Sequence, residues 1–258
     1  MPELIGFIGK GGTGKSTLSA LFLKYVLEKN IKPILVIDAD PNSCLPELLN
    51  LKADKTIGSI RQELLNKNNE ISASFSKYDY CEYALNNAII ESRGFDLVVM
   101  GRTDGPGCYC YINNIIKTMI EKLKRNYKLI IVDCEAGLEH LSRKTLGEIS
   151  TAFIVSDLSR KGIITGARQV ELMKELEINT EGNYLLINNM IEDKSIDKFE
   201  NMIQQTENEK LKYLGVIHND ENVLKYELNQ DSLLELPGNS KAFLDLKNII
   251  DEINLFKT

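Results

Sequence analysis

The chain has 258 residues, of which 43% are hydrophobic and 26% are charged. This composition excludes a disordered protein, and the length allows one large domain with a substantial core. The net charge of −6 argues against a globally basic nucleic-acid-binding protein. Because no run of 18 apolar residues occurs and residues 1–20 contain no basic leader, we expect no membrane partner and a cytoplasmic location.

The first predicted strand, residues 4–8, leads into a glycine-rich loop. Residues 9–16 fit the pattern G-x-x-x-x-G-K-[ST], and apolar residues at helical spacing follow as far as Glu28. We expect Gly11, Gly12 and Gly14 to adopt backbone conformations closed to residues with a Cβ, so that successive N–H groups converge on phosphate oxygens at a helix N-terminus. The pattern predicts a nucleotide site in which Lys15 reaches the β- and γ-phosphates and the Ser16 hydroxyl ligates Mg²⁺. The predicted nucleotide-binding residues of the loop are Gly11, Gly12, Thr13, Gly14, Lys15, Ser16 and Thr17.

Two acids lie at the end of the next predicted strand, residues 33–38, whose apolar run suits a parallel sheet. Asp38 and Asp40 lie at the carboxyl edge, where open α/β sheets bind ligands. Aspartates at strand ends serve as catalytic groups or as helix caps, and the spacing alone leaves both roles open. Helices are predicted over residues 45–51, 57–65 and 80–91.

Two cysteines one residue apart follow the strand predicted over residues 95–100. A Gly-Pro-Gly turn at 105–107 leads into Cys108 and Cys110, at the start of a predicted helix. Two thiolates cannot complete a four-coordinate site, but a symmetry-related copy would supply two more. Since a helix N-terminus favours the thiolate, we predict that both cysteines bind a metal ion, with loop packing as the alternative. The other cysteines, Cys44, Cys81 and Cys134, are predicted to be small packing residues.

The remaining chain continues the alternation of strands and helices. A third strong strand over 127–133 ends in Asp133, the acid that a Walker B position requires. Further strands are predicted over 152–155, 184–187 and 213–217, and further helices over 162–176, 221–228 and 240–253. The pattern predicts a single doubly wound α/β domain over residues 1–258, with a mainly parallel sheet of about seven strands and helices on both faces.

Lys10 inside the loop completes the sequence Lys-Gly-Gly-x-Gly-Lys-Ser. This sequence resembles the deviant Walker A loop of the MinD/ParA/ArsA/nitrogenase-iron-protein group of P-loop NTPases. The resemblance implies an ATP hydrolase that forms a face-to-face homodimer, in which Lys10 reaches the nucleotide of the partner subunit. It further implies that Asp40 orients the attacking water, that Asp38 supports the magnesium shell or the switch, and that Asn188 contacts adenine. By the same resemblance, residues 133–137 fit the Asp-x-x-x-Gly switch that senses the γ-phosphate.

Residues 101–111, which contain Gly-Pro-Gly-Cys-x-Cys, indicate one branch of this group of NTPases. They resemble the CooC-type accessory ATPases that support nickel insertion into carbon monoxide dehydrogenase or acetyl-CoA synthase. This resemblance implies an ATP-dependent homodimer that carries nickel, and often binds zinc, between paired Cys-x-Cys motifs. The implied cofactors are ATP, Mg²⁺ and Ni²⁺ or Zn²⁺, and the implied partner is a nickel client enzyme.

Two other functions fit parts of the pattern. The first is a MinD/ParA-like positioning ATPase, which requires a basic amphipathic membrane helix or a basic DNA-binding face. Acids interrupt the lysines of residues 245–258, which disfavours the membrane version. The second is an ATP-driven electron-transfer protein with an iron–sulfur cluster, whose thiols would come from separated loops such as those of Cys108 and Cys134.

Overall fold

The structure is a computed structural model, and it describes residues 2–66, 77–102, 110–135, 149–178, 180–190 and 211–256. Within these ranges eight strands form one sheet. In chain order they are β1 (Glu3–Gly9), β2 (Ile34–Ala39), β3 (Ile90–Ser92), β4 (Phe95–Val99), β5 (Leu129–Cys134), β6 (Thr151–Ser156), β7 (Gly182–Met190) and β8 (Leu211–His218). Their order across the sheet is β3-β4-β2-β5-β1-β6-β7-β8. All neighbouring pairs are parallel except β3 and β4.

The helices lie between these strands, and a short 3₁₀ turn spans Leu233–Glu235. The α-helices of the described ranges are α1 (Lys15–Glu28), α2 (Leu45–Leu48), α3 (Ile57–Asn66), α4 (Lys77–Asn86), α5 (Cys110–Lys124), α6 (Arg160–Glu175), α7 (Glu221–Asn229) and α8 (Lys241–Ile253). No helix in the described part of the chain has the length and apolar character that crossing a bilayer requires.

The core has two parts, one on each face of the sheet. Along β1, Leu4 and Ile8 contribute to one apolar cluster, whereas Ile5 and Phe7 contribute to the other. Helices α3 to α6 complete the first cluster, and α1 and α8 complete the second. Strands covered on both faces must be apolar at every position, which is why they appear in the sequence as unbroken apolar runs. The predicted α/β class, with a mainly parallel sheet between two helical layers, is confirmed.

The sheet differs from the prediction at its edge. The helix predicted over residues 80–91 ends at Asn86, and Ile90–Ser92 instead forms the short strand β3. A tight turn at residues 93–94 pairs β3 antiparallel with β4. Gly94 makes this turn possible because its φ of 98° is readily adopted only by glycine. The extra strand explains why eight strands are found where about seven were predicted.

The parallel register brings the ends of the central strands together. Asp38 of β2 lies opposite Asp133 of β5, and Asp133 lies opposite Phe7 of β1 on its other side. The glycine-rich loop leaves β1 two residues after Phe7. The loop and both acids therefore meet at the carboxyl edge of the sheet.

Candidate nucleotide site

The loop between β1 and α1 is closed by hydrogen bonds to its own backbone. The N–H and the Oγ1 of Thr13 both donate to the carbonyl of Lys10, at 3.4 and 2.9 Å. The Nζ of Lys15 donates to the same carbonyl at 3.3 Å. From the end of β7, the Nδ2 of Asn188 donates to the carbonyl of Thr13 at 2.9 Å. The loop is thus held against the N-terminus of α1, where unpaired N–H groups favour an anion.

Glycine is needed at particular loop positions for different reasons. Gly12 and Gly14 have φ values of 81° and 87°, in the left-handed region that side chains disfavour. A Cβ atom at Gly9 would lie 2.3 Å from the carbonyl oxygen of Val155 in β6, so only glycine allows this close approach. Gly11 has no such φ and no atom within 4 Å of where a Cβ would lie. The expectation that the backbone at Gly11 excludes other residues is therefore not met in this conformation.

Asp133 is a buried acid beside the start of α1. Among the described residues, neither of its carboxylate oxygens accepts a hydrogen bond of ordinary geometry. Burial raises the pKa of Asp133 to about 6, although the nearby Ser16 hydroxyl and the charge of Lys15 act in the opposite direction. A buried carboxylate without hydrogen bonds is costly unless a ligand completes its contacts. Carboxylate and hydroxyl oxygens suit Mg²⁺, so Asp133 and Ser16 fit a magnesium–nucleotide complex.

Asp38 is equally buried, but its carboxylate oxygens have partners. Its Oδ1 accepts from the amide of Asp40 at 3.0 Å, and its Oδ2 accepts from the amide of Leu45 at 3.1 Å. Burial, followed by the neighbouring Asp133, raises the pKa of Asp38 to about 7. Asp38 thus fixes the turn after β2, which is the capping role that the sequence left open. Asp40 is half-buried on the cavity side of this turn, with its Oδ1 2.9 Å from the amide of Asn42.

The raised pKa values of Asp38 and Asp133 predict how the stability of their asparagine variants depends on pH. A carboxyl group whose folded pKa is raised contributes stability that is complete below its unfolded pKa, near 4, and is lost as pH rises through the folded value. We therefore expect Asp133→Asn and Asp38→Asn to become more stable relative to wild type as pH rises from about 4 to about 7. Thermal melts with EDTA, compared at each pH, measure this difference. A difference that stays constant with pH in both variants would contradict the prediction.

The loop and both sides of the carboxyl edge line one open cavity of about 1100 Å³. It extends from Asp40 after β2, past the loop, to Asn188 in β7 and to residues 218–220 after β8. The cavity is large enough for a nucleotide, and it combines apolar walls with a few convergent polar groups. Asn188 lies at the position where the sequence analysis expected an adenine contact. Its bond to the loop uses one of two amide N–H groups, which leaves capacity for a ligand.

Sequence reasoning missed several residues of this cavity. Glu227 of α7 accepts a hydrogen bond from the Oγ1 of Thr17 at 3.3 Å, and no local pattern could have placed these residues together. Cys44 was expected to pack, but its side chain is exposed and lines the cavity. His218 also lines it, and the Oδ2 of Asp245 accepts from the backbone N–H of His218 and lies 2.7 Å from its Nδ1.

The other cysteines are placed as follows. Cys81 is buried, as expected, and burial raises the pKa of its thiol to about 11. Cys134 is also buried, and burial raises the pKa of its thiol well above the ordinary value. Cys108 lies outside the described residues, and Cys110 is the first residue of α5. Within the described ranges, no three His, Cys, Asp or Glu side chains are grouped so as to hold a metal ion.

Comparison with known proteins identifies the family. The model of the CobQ/CobB/MinD/ParA nucleotide binding domain matches residues 6–233, which include the loop, both acids and most of the cavity. The chain belongs to this family. Membership agrees with the P-loop fold described above and places the protein among the MinD/ParA-type ATPases.

Individual members of the CobQ/CobB/MinD/ParA family are similar to this chain to different degrees. An uncharacterised ATP-binding protein of Methanocaldococcus jannaschii is 36% identical over 253 residues, covering 97% of this chain and 98% of that protein. The carbon monoxide dehydrogenase accessory protein CooC of Rhodospirillum rubrum is 24% identical over 187 residues, covering 68% of this chain and 71% of that protein. The structure of a ParA family ATPase from Chlorobium tepidum TLS has a TM-score of 0.68 at 19% identity, covering 98% of this chain and 99% of that one. This last likeness concerns the fold alone, and the similarity to CooC is distant.

Proposed function

We propose that this family member is an ATP hydrolase whose nucleotide state controls a metal-binding homodimer. In this proposal Cys108 and Cys110 of each subunit hold one Ni²⁺ or Zn²⁺ ion between them, and the protein delivers nickel to carbon monoxide dehydrogenase or acetyl-CoA synthase. The observation that carries it is that β4, which precedes the two thiols in the chain, ends beside Asp38 at the carboxyl end of β2. One edge of the sheet would therefore serve both the nucleotide and the metal ion.

In the proposed nucleotide site, the loop lysines, Ser16 and the two acids have distinct roles. Lys15 binds the β- and γ-phosphates, and Ser16 and Asp133 hold Mg²⁺ directly or through water. Bound magnesium neutralises charge on the phosphates. Asp40, on the cavity side of the turn after β2, orients the water that attacks the γ-phosphate. Lys10 is exposed in the loop, so its side chain is available to a nucleotide on a facing subunit.

Backbone contacts support communication between the two sites. The N–H of Met100, just after β4, donates to the carbonyl of Asp38 at 2.8 Å, and its carbonyl accepts from the N–H of Gly58 at 2.8 Å. A Cβ atom at Gly58 would lie 2.0 Å from the carbonyl oxygen of Arg102, so α3 packs tightly on this exit from β4. A movement of the turn at Asp38 would therefore be transmitted to the chain that leads to Cys108. Such coupling is reciprocal, so metal should strengthen ATP-dependent dimerisation as much as ATP strengthens metal binding.

A membrane-binding role and an iron–sulfur cluster through Cys134 each have an observation against them. A membrane-binding MinD-like protein needs an amphipathic C-terminal helix with a free apolar face. The apolar residues of α8, including Phe243, Leu246 and Ile250, are instead buried in the core. A bridging iron–sulfur cluster would need accessible thiolates, whereas the thiol of Cys134 is buried with a raised pKa.

Metal analysis of a thiol variant tests the proposal. Wild type eluting as a dimer with a non-hydrolysable ATP analogue should contain one nickel or zinc ion per dimer, and the Cys108→Ser/Cys110→Ser variant should contain none. Nucleotide affinity measured without added nickel or zinc should be unchanged, because the loop residues are intact and no metal ion is present to couple to them. Cys44→Ser is the matched control, since it removes an exposed thiol outside the motif. Unchanged metal content in the double variant would reject the thiol site, and an ATP-loaded monomer in the presence of nickel or zinc would reject the dimer.

A further inference from the structure

Asn188 lies where β7 passes the glycine-rich loop. Its side chain is buried, and its Nδ2 donates to the carbonyl of Thr13, 175 residues earlier in the chain, at 2.9 Å. A Cβ atom at Gly14 would lie 2.1 Å from the same Nδ2, so glycine there lets the amide approach the loop backbone closely. A buried amide that donates to a loop carbonyl restrains the conformation of that loop, because leaving the carbonyl without a partner is costly.

An irregularity in β7 accompanies this contact. The pairing of β7 with β8 shifts between Ile187 and Met190, where β7 has one residue more than β8. Asn189 has a φ of 58°, in the left-handed region that asparagine tolerates better than most residues. Bulges of this kind re-aim side chains next to functional sites. The bulge therefore lies at the point where β7 must reach the loop.

The contact decides which way one peptide group of the loop points. In a trans peptide the carbonyl of Thr13 and the N–H of Gly14 point in opposite directions. Because Asn188 holds the carbonyl, the N–H is directed away from Asn188. Gly14 lines the cavity, and among the described hydrogen bonds none has its N–H as the donor. This N–H is therefore available to a phosphate oxygen.

The same peptide group has little else to hold it. Turning it over changes the ψ of Thr13 and the φ of Gly14, and glycine accepts φ values of either sign. The N–H and Oγ1 of Thr13 are fixed on the carbonyl of Lys10. Among the described hydrogen bonds, only the one from Asn188 has the carbonyl of Thr13 as its acceptor. A peptide group that had turned over would present a carbonyl oxygen to phosphate in place of an N–H, and the two would repel each other.

We infer that Asn188 is a positioning residue that locks the Thr13–Gly14 peptide group in its phosphate-binding orientation. It acts on the phosphates through the loop backbone, and its second amide N–H is left for the adenine contact that the resemblance implies. Because the lock consists of protein atoms alone, it needs no bound base. When the lock is removed, the apparent affinity for phosphate falls with the fraction of molecules that keep the orientation. The inference rests on the nucleotide site of the proposed function and not on metal delivery.

Inorganic tripolyphosphate, which has the phosphate chain of ATP without ribose or base, separates the two roles of Asn188. Its dissociation constant with Mg²⁺ is measured by displacement titration calorimetry, beside that of a non-hydrolysable ATP analogue. Asn188→Ala, and Asn188→Leu, which fills the space without an N–H, should each weaken the binding of both ligands by roughly tenfold. The stoichiometry of the ATP-analogue titration should not change, which distinguishes a lower affinity from a loss of folded protein.

Asn183→Ala is the matched control, and both of its dissociation constants should stay at the wild-type values. Asn183 lies in the same strand and its Oδ1 accepts from the Oγ1 of Thr180 at 2.9 Å, but it does not line the cavity.

Two results would overturn the inference and leave the proposed function standing. In the first, the Asn188 variants bind the ATP analogue more weakly but bind tripolyphosphate as wild type does, so that Asn188 acts on the base alone. In the second, wild type binds the ATP analogue but not tripolyphosphate, although a locked loop needs no base. Wild type that binds neither ligand would instead reject the nucleotide site of the proposed function, and the inference with it.

Discussion

Replacing Lys15 by alanine should lower the affinity for ATP by about a hundredfold or more. The side chain is only 5% exposed, and its Nζ already lies at the loop, 3.3 Å from the carbonyl of Lys10. Two charge-assisted hydrogen bonds to phosphate, each of about 1.5–3 kcal/mol, are lost together, which corresponds to at least two orders of magnitude in the dissociation constant. Titration calorimetry with a non-hydrolysable ATP analogue and Mg²⁺ measures the effect.

Lys10→Ala is the matched control for this experiment. It removes the same charge from the same loop, but the Lys10 side chain is exposed and only its carbonyl contributes to the closed loop. We expect the monomer to keep most of its nucleotide affinity and the ATP-dependent dimer to be lost in size-exclusion chromatography. Equal losses of nucleotide affinity in both variants would contradict the distinct roles proposed for the two lysines.

Asp133→Asn should have opposite effects on activity and stability. Loss of the carboxylate that holds magnesium should lower ATP turnover by roughly a hundredfold or more. The same change removes a buried carboxylate without hydrogen bonds, whose pKa is raised to about 6. A shift of about two pKa units corresponds to about 3 kcal/mol, so the free energy of unfolding at neutral pH should rise by up to that amount. Phosphate release and denaturant unfolding in EDTA measure the two effects.

Asp38→Asn provides the comparison for the stability effect. Asp38 is also a buried strand-end acid, but both its oxygens accept hydrogen bonds from backbone amides. An asparagine there would turn an amide nitrogen toward one of these donors, so the variant should gain less stability than Asp133→Asn at the same pH. The Asp133→Asn variant could instead be less stable than wild type, or hydrolyse ATP at the wild-type rate. Either result would show that Asp133 is not a magnesium-binding carboxylate that costs stability when magnesium is absent.

The sequence by itself determined the fold class and the position of the phosphate loop. Both depend on short-range patterns, namely unbroken apolar runs for strands buried on two faces and a spacing of glycines, lysine and serine within eight residues. The placement of Asp38 and Asp133 at one edge also followed, because parallel strands end together. Family membership then agreed with what the loop had indicated, whereas the assignment to metal delivery still rests on the Cys-x-Cys motif.

Only the tertiary structure decided which distant residues meet. The helix predicted over residues 80–91 was wrong at its end because apolar spacing continues into Ile90, whereas pairing with β4 makes that segment a strand. The need for glycine at position 9 comes from Val155, and the place of Glu227 comes from Thr17. Local sequence preferences act over a few residues, but these contacts depend on the order of strands in the sheet, which brings β6 and β8 back to the loop that follows β1.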